Sequence, residues 1–252
     1  MMEILIDDIN NYRIPSKSFK ANYEKICQLG KGAFGKVYKA KEIRTGNIVA
    51  VKQIKIHHTL LNYDSIINEI NVLKHLDHPN IVKYYNYFEE DDKIFIIMEY
   101  LDGGTLKEYL KNNEKNITED NARIIIKQLL NALSYLHYSC DICHRDVKPG
   151  NIIFKYKDDI NSLQLVDFGL CADTFEAKDC LENCGTLKYM APEQISNMIY
   201  SKGVDIWSAG IILYMLLNNG NNPFYNLGDS REEIINKITN KKIFFDENCT
   251  IS

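Results

Sequence analysis

The sequence predicts an α+β protein in two parts, a β-rich stretch followed by a helical one. Three observations carry this. Short runs rich in β-branched and aromatic residues recur between residues 23 and 99, each bounded by Gly, Asn or Asp. One segment of helical period interrupts them. After Asp102-Gly103-Gly104 the apolar residues fall at helical spacing for most of the remaining chain.

The strands are expected at 23–29, 36–42, 48–54, 84–89 and 94–99. Between the third and fourth, Ile66, Ile67, Ile70 and Leu73 line one helical face, which predicts an amphipathic helix over 63–76. Thr118-Glu119-Asp120 opens a long helix over 121–138, apolar at 125, 129, 132, 133 and 136. The run 204–217 is apolar almost all round, the pattern of a buried helix, and 230–238 is shorter and amphipathic. Residues 1–22 show no sustained period and read as a tail.

Composition removes several functions. The 252 residues carry 34 Asp+Glu against 30 Lys+Arg, a net charge of −4, so the basic footprint of a nonspecific nucleic-acid binder is missing. No apolar run approaches the ~18 residues that span a bilayer. The start lacks the basic region of a signal peptide, and Met2 stands where myristoylation needs Gly. Seven scattered cysteines in a chain of this size fit reduced thiols, hence a cytoplasmic or nuclear location. Cys140 and Cys143 form a C-x-x-C with no second pair after it, and read as small apolar residues near a helix end.

Four motifs carry chemistry. Gly30-Lys31-Gly32-Ala33-Phe34-Gly35-Lys36-Val37 lies between two expected strands, where glycines let backbone N–H groups approach phosphates. A dinucleotide fold would need a helix after these glycines. Lys52 lies in the apolar run Val49-Ala50-Val51, where an amine needs a partner; Glu69 on the amphipathic helix is the natural one. In His144-Arg145-Asp146-Val147-Lys148-Pro149-Gly150-Asn151, Asp146 can accept a hydroxyl proton and Lys148 can neutralise charge on a phosphoryl group. Asn151 and Asp167 of Asp167-Phe168-Gly169 can hold Mg²⁺, which takes few carboxylates alongside phosphate oxygens.

In this order, and with Ala191-Pro192-Glu193 closing the set, the motifs resemble those of eukaryotic protein kinases over residues 23 to about 247. The resemblance implies a bilobal fold, with an N-lobe at 23–98, a hinge at 99–102 and a C-lobe from 103. It assigns ATP contacts to Gly30, Lys31, Gly32, Gly35, Val37, Ala50, Lys52, Met98, Glu99, Leu101 and Ile153. Asp146 becomes the catalytic base, Lys148 the γ-phosphate contact, Asn151 and Asp167 the Mg²⁺ ligands, and Glu69 the partner of Lys52. Leu73, Tyr84, His144 and Phe168 match a stacked spine, and Asp205 an anchor of the catalytic-loop backbone. Lys148-Pro149 and Thr186 imply Ser/Thr substrates. The subgroup stays open between calcium/calmodulin-dependent-like kinases, through Cys184-Gly185-Thr186 and residues 200–214, and NIMA-related or sterile-like ones, through residues 98–106.

The resemblance also implies further helices after Ser252 and a partner for Glu193, so a catalytically weak fragment or a pseudokinase-like binding module is the alternative to an active enzyme. Thr105 and Gly150 stand where arginine-directed kinases carry glutamates, which implies at most a modest preference for arginine in the substrate. Glu182, four residues before Thr186, is expected to dock on Arg145 in place of a phosphate.

Overall fold

The computed structural model describes residues 18–32, 35–56, 63–113, 117–173, 185–196 and 201–240. The chain divides into two compact units, Met1–Asp64 with Tyr84–Tyr100, and Ser65–Lys83 with Leu101–Ser252. Glu182, expected to dock on Arg145, lies outside the described residues.

The first unit is one antiparallel sheet. Its strands are β1 (Tyr23–Gly32), β2 (Gly35–Glu42), β3 (Ile48–Lys55), β4 (Tyr84–Glu90) and β5 (Lys93–Glu99), in the order β1-β2-β3-β5-β4. β4 and β5 join through Asp91 and Asp92, both at positive φ (51° and 56°), the two-residue turn whose twist suits a hairpin. Ala40 pairs with Val49 and Val51 with Ile97, so Ala40, Val49, Val51, Phe95 and Ile97 bury one face together.

Phe19 seals that face. Although residues 1–22 read as a tail, Phe19–Asn22 forms a helical turn, α1, and the Phe19 ring stacks on Phe95 at 4.2 Å and on Tyr23 at 5.7 Å. One aromatic residue too short to show a period is enough to extend the folded part backwards.

α2 (Tyr63–His75), which belongs to the second unit from Ser65 on, buries Ile66, Glu69, Ile70 and Leu73 on one stripe, as its period requires. Residues 65–83 group with this unit, whereas the motif-based division placed them in the β-rich part. α3 (Leu106–Asn112), α4 (Glu119–Ser134), the short α5 (Pro192–Ile195), α6 (Gly203–Leu217) and α7 (Arg231–Asn240) follow. α4 packs on α6, and its Ile125, Leu129 and Leu133 are buried. Two small antiparallel strand pairs complete the unit: β6 (Ile142–Cys143) with β9 (Ala172–Asp173), and β7 (Ile152–Phe154) with β8 (Leu163–Leu165). No described helix is long and apolar enough to cross a membrane.

Two local departures from expectation have physical causes. The helix α3 is absent from the period-based reading because it is only two turns long. Its signal was a capping box: Thr105 Oγ1 accepts the Glu108 N–H at 3.1 Å while Glu108 accepts the Thr105 N–H at 2.7 Å. The run 121–138 is not one helix either. It widens after Ser134 into a π-helical turn, Tyr135–Ser139, which carries His137 toward α6.

Asp102-Gly103-Gly104 is no free joint. The Gly103 N–H bonds to the Phe154 carbonyl, and the Phe154 N–H to the Gly104 carbonyl, both at 2.9 Å. A Cβ on Gly103 would run into the Tyr156 carbonyl and the backbone and Cβ of Phe154. Glycine here is what lets two backbones touch.

Candidate active site

In the first unit the sheet register sets the expected nucleotide-facing residues in one row. Val37 pairs with Lys52, and Ala50 with Met98; paired residues share a face, and Ala50 and Lys52 alternate onto the same one. Val37, Ala50, Lys52 and Met98 therefore lie together, opposite the Phe19 face. β1 carries an irregularity between Gln28 and Gly30, at the start of the glycine motif, where a bulge re-aims the strand. A side chain at Gly30 or Gly32 would meet nothing within 4 Å, so packing does not demand glycine there. Gly35 differs: its φ is 146°, and a Cβ would strike the Gln53 carbonyl. Lys31 is exposed at the end of β1, and Glu99 ends β5 opposite Val49. Lys52 and Glu69, both buried, fall in different units.

The second unit holds the rest. Asp146 is 6% exposed and its carboxylate accepts three side-chain donors. Oδ2 accepts from Lys148 Nζ at 2.5 Å and from Asn151 Nδ2 at 3.0 Å, and Oδ1 accepts from Thr186 Oγ1 at 3.1 Å. Lys148 Nζ also donates to Thr186 Oγ1 at 3.0 Å. The threonine hydroxyl thus links the lysine to the carboxylate, a contact that the sequence, which marked Thr186 only as a type residue, did not show.

Asn151 spends both amide hydrogens on Asp146, its side chain and its carbonyl. That leaves Oδ1 as its atom for a cation. Its own carbonyl accepts the Val166 N–H at 2.9 Å, tying it to the residue before Asp167. Among the described residues no three His, Cys, Asp or Glu side chains gather to hold a metal. Two oxygen donors of the Asn151 and Asp167 type fit Mg²⁺, which keeps waters and phosphate oxygens in its shell. Leu101 and Ile153 are half-buried, with Ile153 on β7 and bridged to Thr105.

The loop around Asp146 is held from below by Asp205 in the first turn of α6, 1% exposed. Its Oδ1 accepts the Arg145 N–H at 2.8 Å, and its Oδ2 accepts the His144 N–H at 2.8 Å. His137 Nε2 lies 2.7 Å from Oδ2. Burial would push this carboxyl up; the His137 bond, the electrostatic influence of His144 and the two N–H donors outweigh it and hold it below the usual carboxylate range. His137 belongs to no motif, and only the π-turn delivers it.

Further bonds complete the loop. His144 Nε2 faces the Val166 carbonyl at 3.2 Å while Nδ1 accepts the Asp146 N–H, which assigns the ring proton to Nε2. Its ring meets the buried Phe168 edge-on at 5.1 Å. Leu73, another expected spine residue, is buried in this unit, and Tyr84 lies in the other. Arg145 Nε donates to the Leu170 carbonyl at 2.5 Å. Cys143 packs with Ala191 and Val204, its thiol pushed up by burial and then by Asp205, which makes it inert. Glu193 is half-buried, which removes the premise that a fully buried carboxylate awaits a partner.

Comparison with known proteins agrees with this geometry. Residues 23–250 match the model of the protein kinase domain. Calcium-dependent protein kinase 5 of Plasmodium falciparum is 37% identical over 224 residues, covering 88% of this chain and 38% of that protein. Human serine/threonine-protein kinase Nek10 is 35% identical over 233 residues, 87% of this chain and 20% of that protein. A probable myosin light chain kinase of Dictyostelium discoideum is 39% identical over 209 residues, 81% and 65% respectively. The chain spans less than two thirds of each of these relatives, and their similar identities favour no one subgroup. By the extent of the match and by its relatives, this chain belongs to the eukaryotic serine/threonine protein kinase family.

Proposed function

We propose that the protein transfers the γ-phosphoryl group of ATP to serine and threonine hydroxyls of proteins, with Asp146 as the base. One observation carries the reading: a buried carboxylate held by Lys148, Thr186 and Asn151 on a loop whose backbone is pinned by Asp205. Oδ2 already accepts two donors, whereas Oδ1 accepts one and keeps a lone pair for the substrate hydroxyl. As the hydroxyl oxygen bonds to the γ-phosphorus and the bond to the bridging oxygen of ADP breaks, the hydroxyl proton passes to Oδ1. Lys148, within a hydrogen bond of both Asp146 and Thr186, places an ammonium beside the oxygens that gain charge. Bound at Asn151 and Asp167, Mg²⁺ would neutralise phosphate charge. In the first unit the Val37, Ala50, Lys52 and Met98 face and the glycines of β1 and β2 supply the nucleotide contacts.

The test is transfer of labelled phosphate from ATP to serine, threonine and tyrosine peptides. Asp146→Asn keeps the shape but loses the base, so turnover should fall about 10²–10⁴-fold with nucleotide affinity little changed. A variant as fast as the parent, or labelling confined to tyrosine, overturns the assignment.

A further inference from the structure

We propose that a cavity beside the catalytic loop is a subsite for an anionic side chain of the protein substrate, carboxylate or phosphorylated, and that Lys107, Lys111 and Lys188 create this preference. The proposal rests on the phosphotransfer reading above. The cavity, about 470 Å³, lies wholly in the second unit and is lined by all three lysines together with Pro149 and Tyr189. Pro149 directly follows Lys148, and Lys188 comes two residues after Thr186; Lys148 and Thr186 both touch Asp146. An extended peptide advances about 3.3 Å per residue, so a chain with its hydroxyl at Asp146 brings a side chain only a few positions away to this cavity.

No acid of the cavity lining balances the charges there. Lys107 and Lys111 are four apart on α3 and so share a face, where like charges repel. Lys188 adds a third ammonium, seated 4.5 Å over the Tyr225 ring. Burial, and then the Lys107 charge, lower its proton affinity. None of the three forms an ion pair among the described residues, and no acidic side chain lines the cavity, although the chain carries 34 acids. Asn219 and Asn221 line it as well and offer amide hydrogens. A Cβ at Gly150, next to Pro149 of the cavity lining, would meet nothing within 4 Å, and the chain places no carboxylate at that position. Unpaired like charges gathered in a cavity next to the reacting groups are complementary to an anion carried by the substrate.

The experiment uses serine-centred peptides in which each position from five before to four after the serine is set in turn to Ala, Glu, phosphoserine or Arg. Turnover and direct binding, by polarisation of the labelled peptides, are both read. At one or more positions Glu or phosphoserine should raise kcat/KM and affinity about tenfold over Ala, the effect of one charge-assisted hydrogen bond, and Arg should lower them. The ratio of phosphoserine to Glu identifies which source the cavity takes. Lys107→Glu/Lys111→Glu and, separately, Lys188→Glu should abolish or invert the ratio of acidic to basic peptides at that same position. Equal response at every position, a parent preference for Arg, or a preference unmoved by the lysine variants overturns the proposal. If the parent labels no peptide, the phosphotransfer reading fails, while the binding ratios still decide whether the cavity selects anions.

Discussion

Replacing Asp205 should disable the protein from a distance, because one side chain satisfies the backbone of the loop that holds Asp146. Asp205→Ala strands three buried donors, the N–H groups of His144 and Arg145 and the ring of His137. Each unsatisfied buried donor costs about 1–3 kcal/mol, so the sum is ~3–6 kcal/mol once water re-enters part of the space. Against a total stability of about 5–15 kcal/mol that variant is at risk of not folding. Asp205→Asn is the cleaner probe. Its amide oxygen can keep one backbone donor, but its NH₂ then faces another donor, which should cost ~1–3 kcal/mol. Denaturant titration reads that loss, and hydrogen exchange at the His144 and Arg145 amides locates it. Activity should fall mainly in kcat, since the bonds of Asp205 go to the backbone of the loop that holds Asp146 and to His137. The pH dependence has a definite sign. The folded carboxyl is held below its ordinary value of 3.8, so its contribution is complete above that pH and is lost as pH falls through the lower folded value. The stability gap between parent and Asp205→Asn should therefore be constant near neutrality and shrink below about pH 4. An Asn variant with unchanged midpoint and unchanged protection at His144 and Arg145 would refute the anchoring role.

Three further outcomes follow from particular contacts. Gly30→Ala and Gly32→Ala should leave the unfolding midpoint within about 0.5–1 kcal/mol of the parent yet raise the KM for ATP, whereas Gly103→Ala, which meets backbone, should destabilise by ~1–3 kcal/mol; the reverse order in thermal melts would contradict the packing argument. Phe19→Ala should cost about 3–5 kcal/mol, and removal of residues 1–22 at least as much, if the ring closes the sheet face as its stacking on Phe95 shows; a melt unmoved by either would return those residues to a tail. Thr186→Ala should lower kcat about tenfold by removing the hydroxyl between Lys148 and Asp146, and Thr186→Ser should restore it; equal rates for the two variants would sink the link.

How much of this was legible in the sequence depends on the range of the interactions. The strands β1–β5, α2, α6 and α7 were visible because each is long enough to show its period or is bounded by turn residues. The residues that carry chemistry were visible because their spacing is local: Asp146, Lys148 and Asn151 fit within six positions. The helix α3 was readable only through Thr105-x-x-Glu108, a signal of end chemistry and not of period. Phe19 had no period at all, since a single stacked ring repeats nothing.

The support of the loop was legible only in part: the resemblance implied Asp205 as its anchor, and the hydrogen-bond geometry agrees, but His137 and the Leu170 carbonyl carry no signal in the sequence. Asp205 reaches His144 and Arg145 across about sixty residues, and His137 reaches Asp205 across 68, through a π-turn that no pattern announces. The backbone shows why such support is needed. Arg145 and Asp167 sit at φ 66° and 67°, a left-handed conformation that side chains disfavour by ~1–3 kcal/mol each at functional sites. Neither residue is Gly or Asn, so composition gives no warning of it. Arg145 is held there by its N–H bond to Asp205 and its Nε bond to the Leu170 carbonyl. Next to Asp167, the Val166 N–H is bonded to the Asn151 carbonyl. The strain thus falls on the residue before the proposed base and on a proposed cation ligand, and the bonds that oppose it come from α6, from the Leu170 carbonyl and from the catalytic loop itself. Catalytic residues close in sequence can be read from a motif; the conformation that makes them useful is imposed by partners far along the chain, of which the resemblance named Asp205 and the folded structure adds His137 and the Leu170 carbonyl.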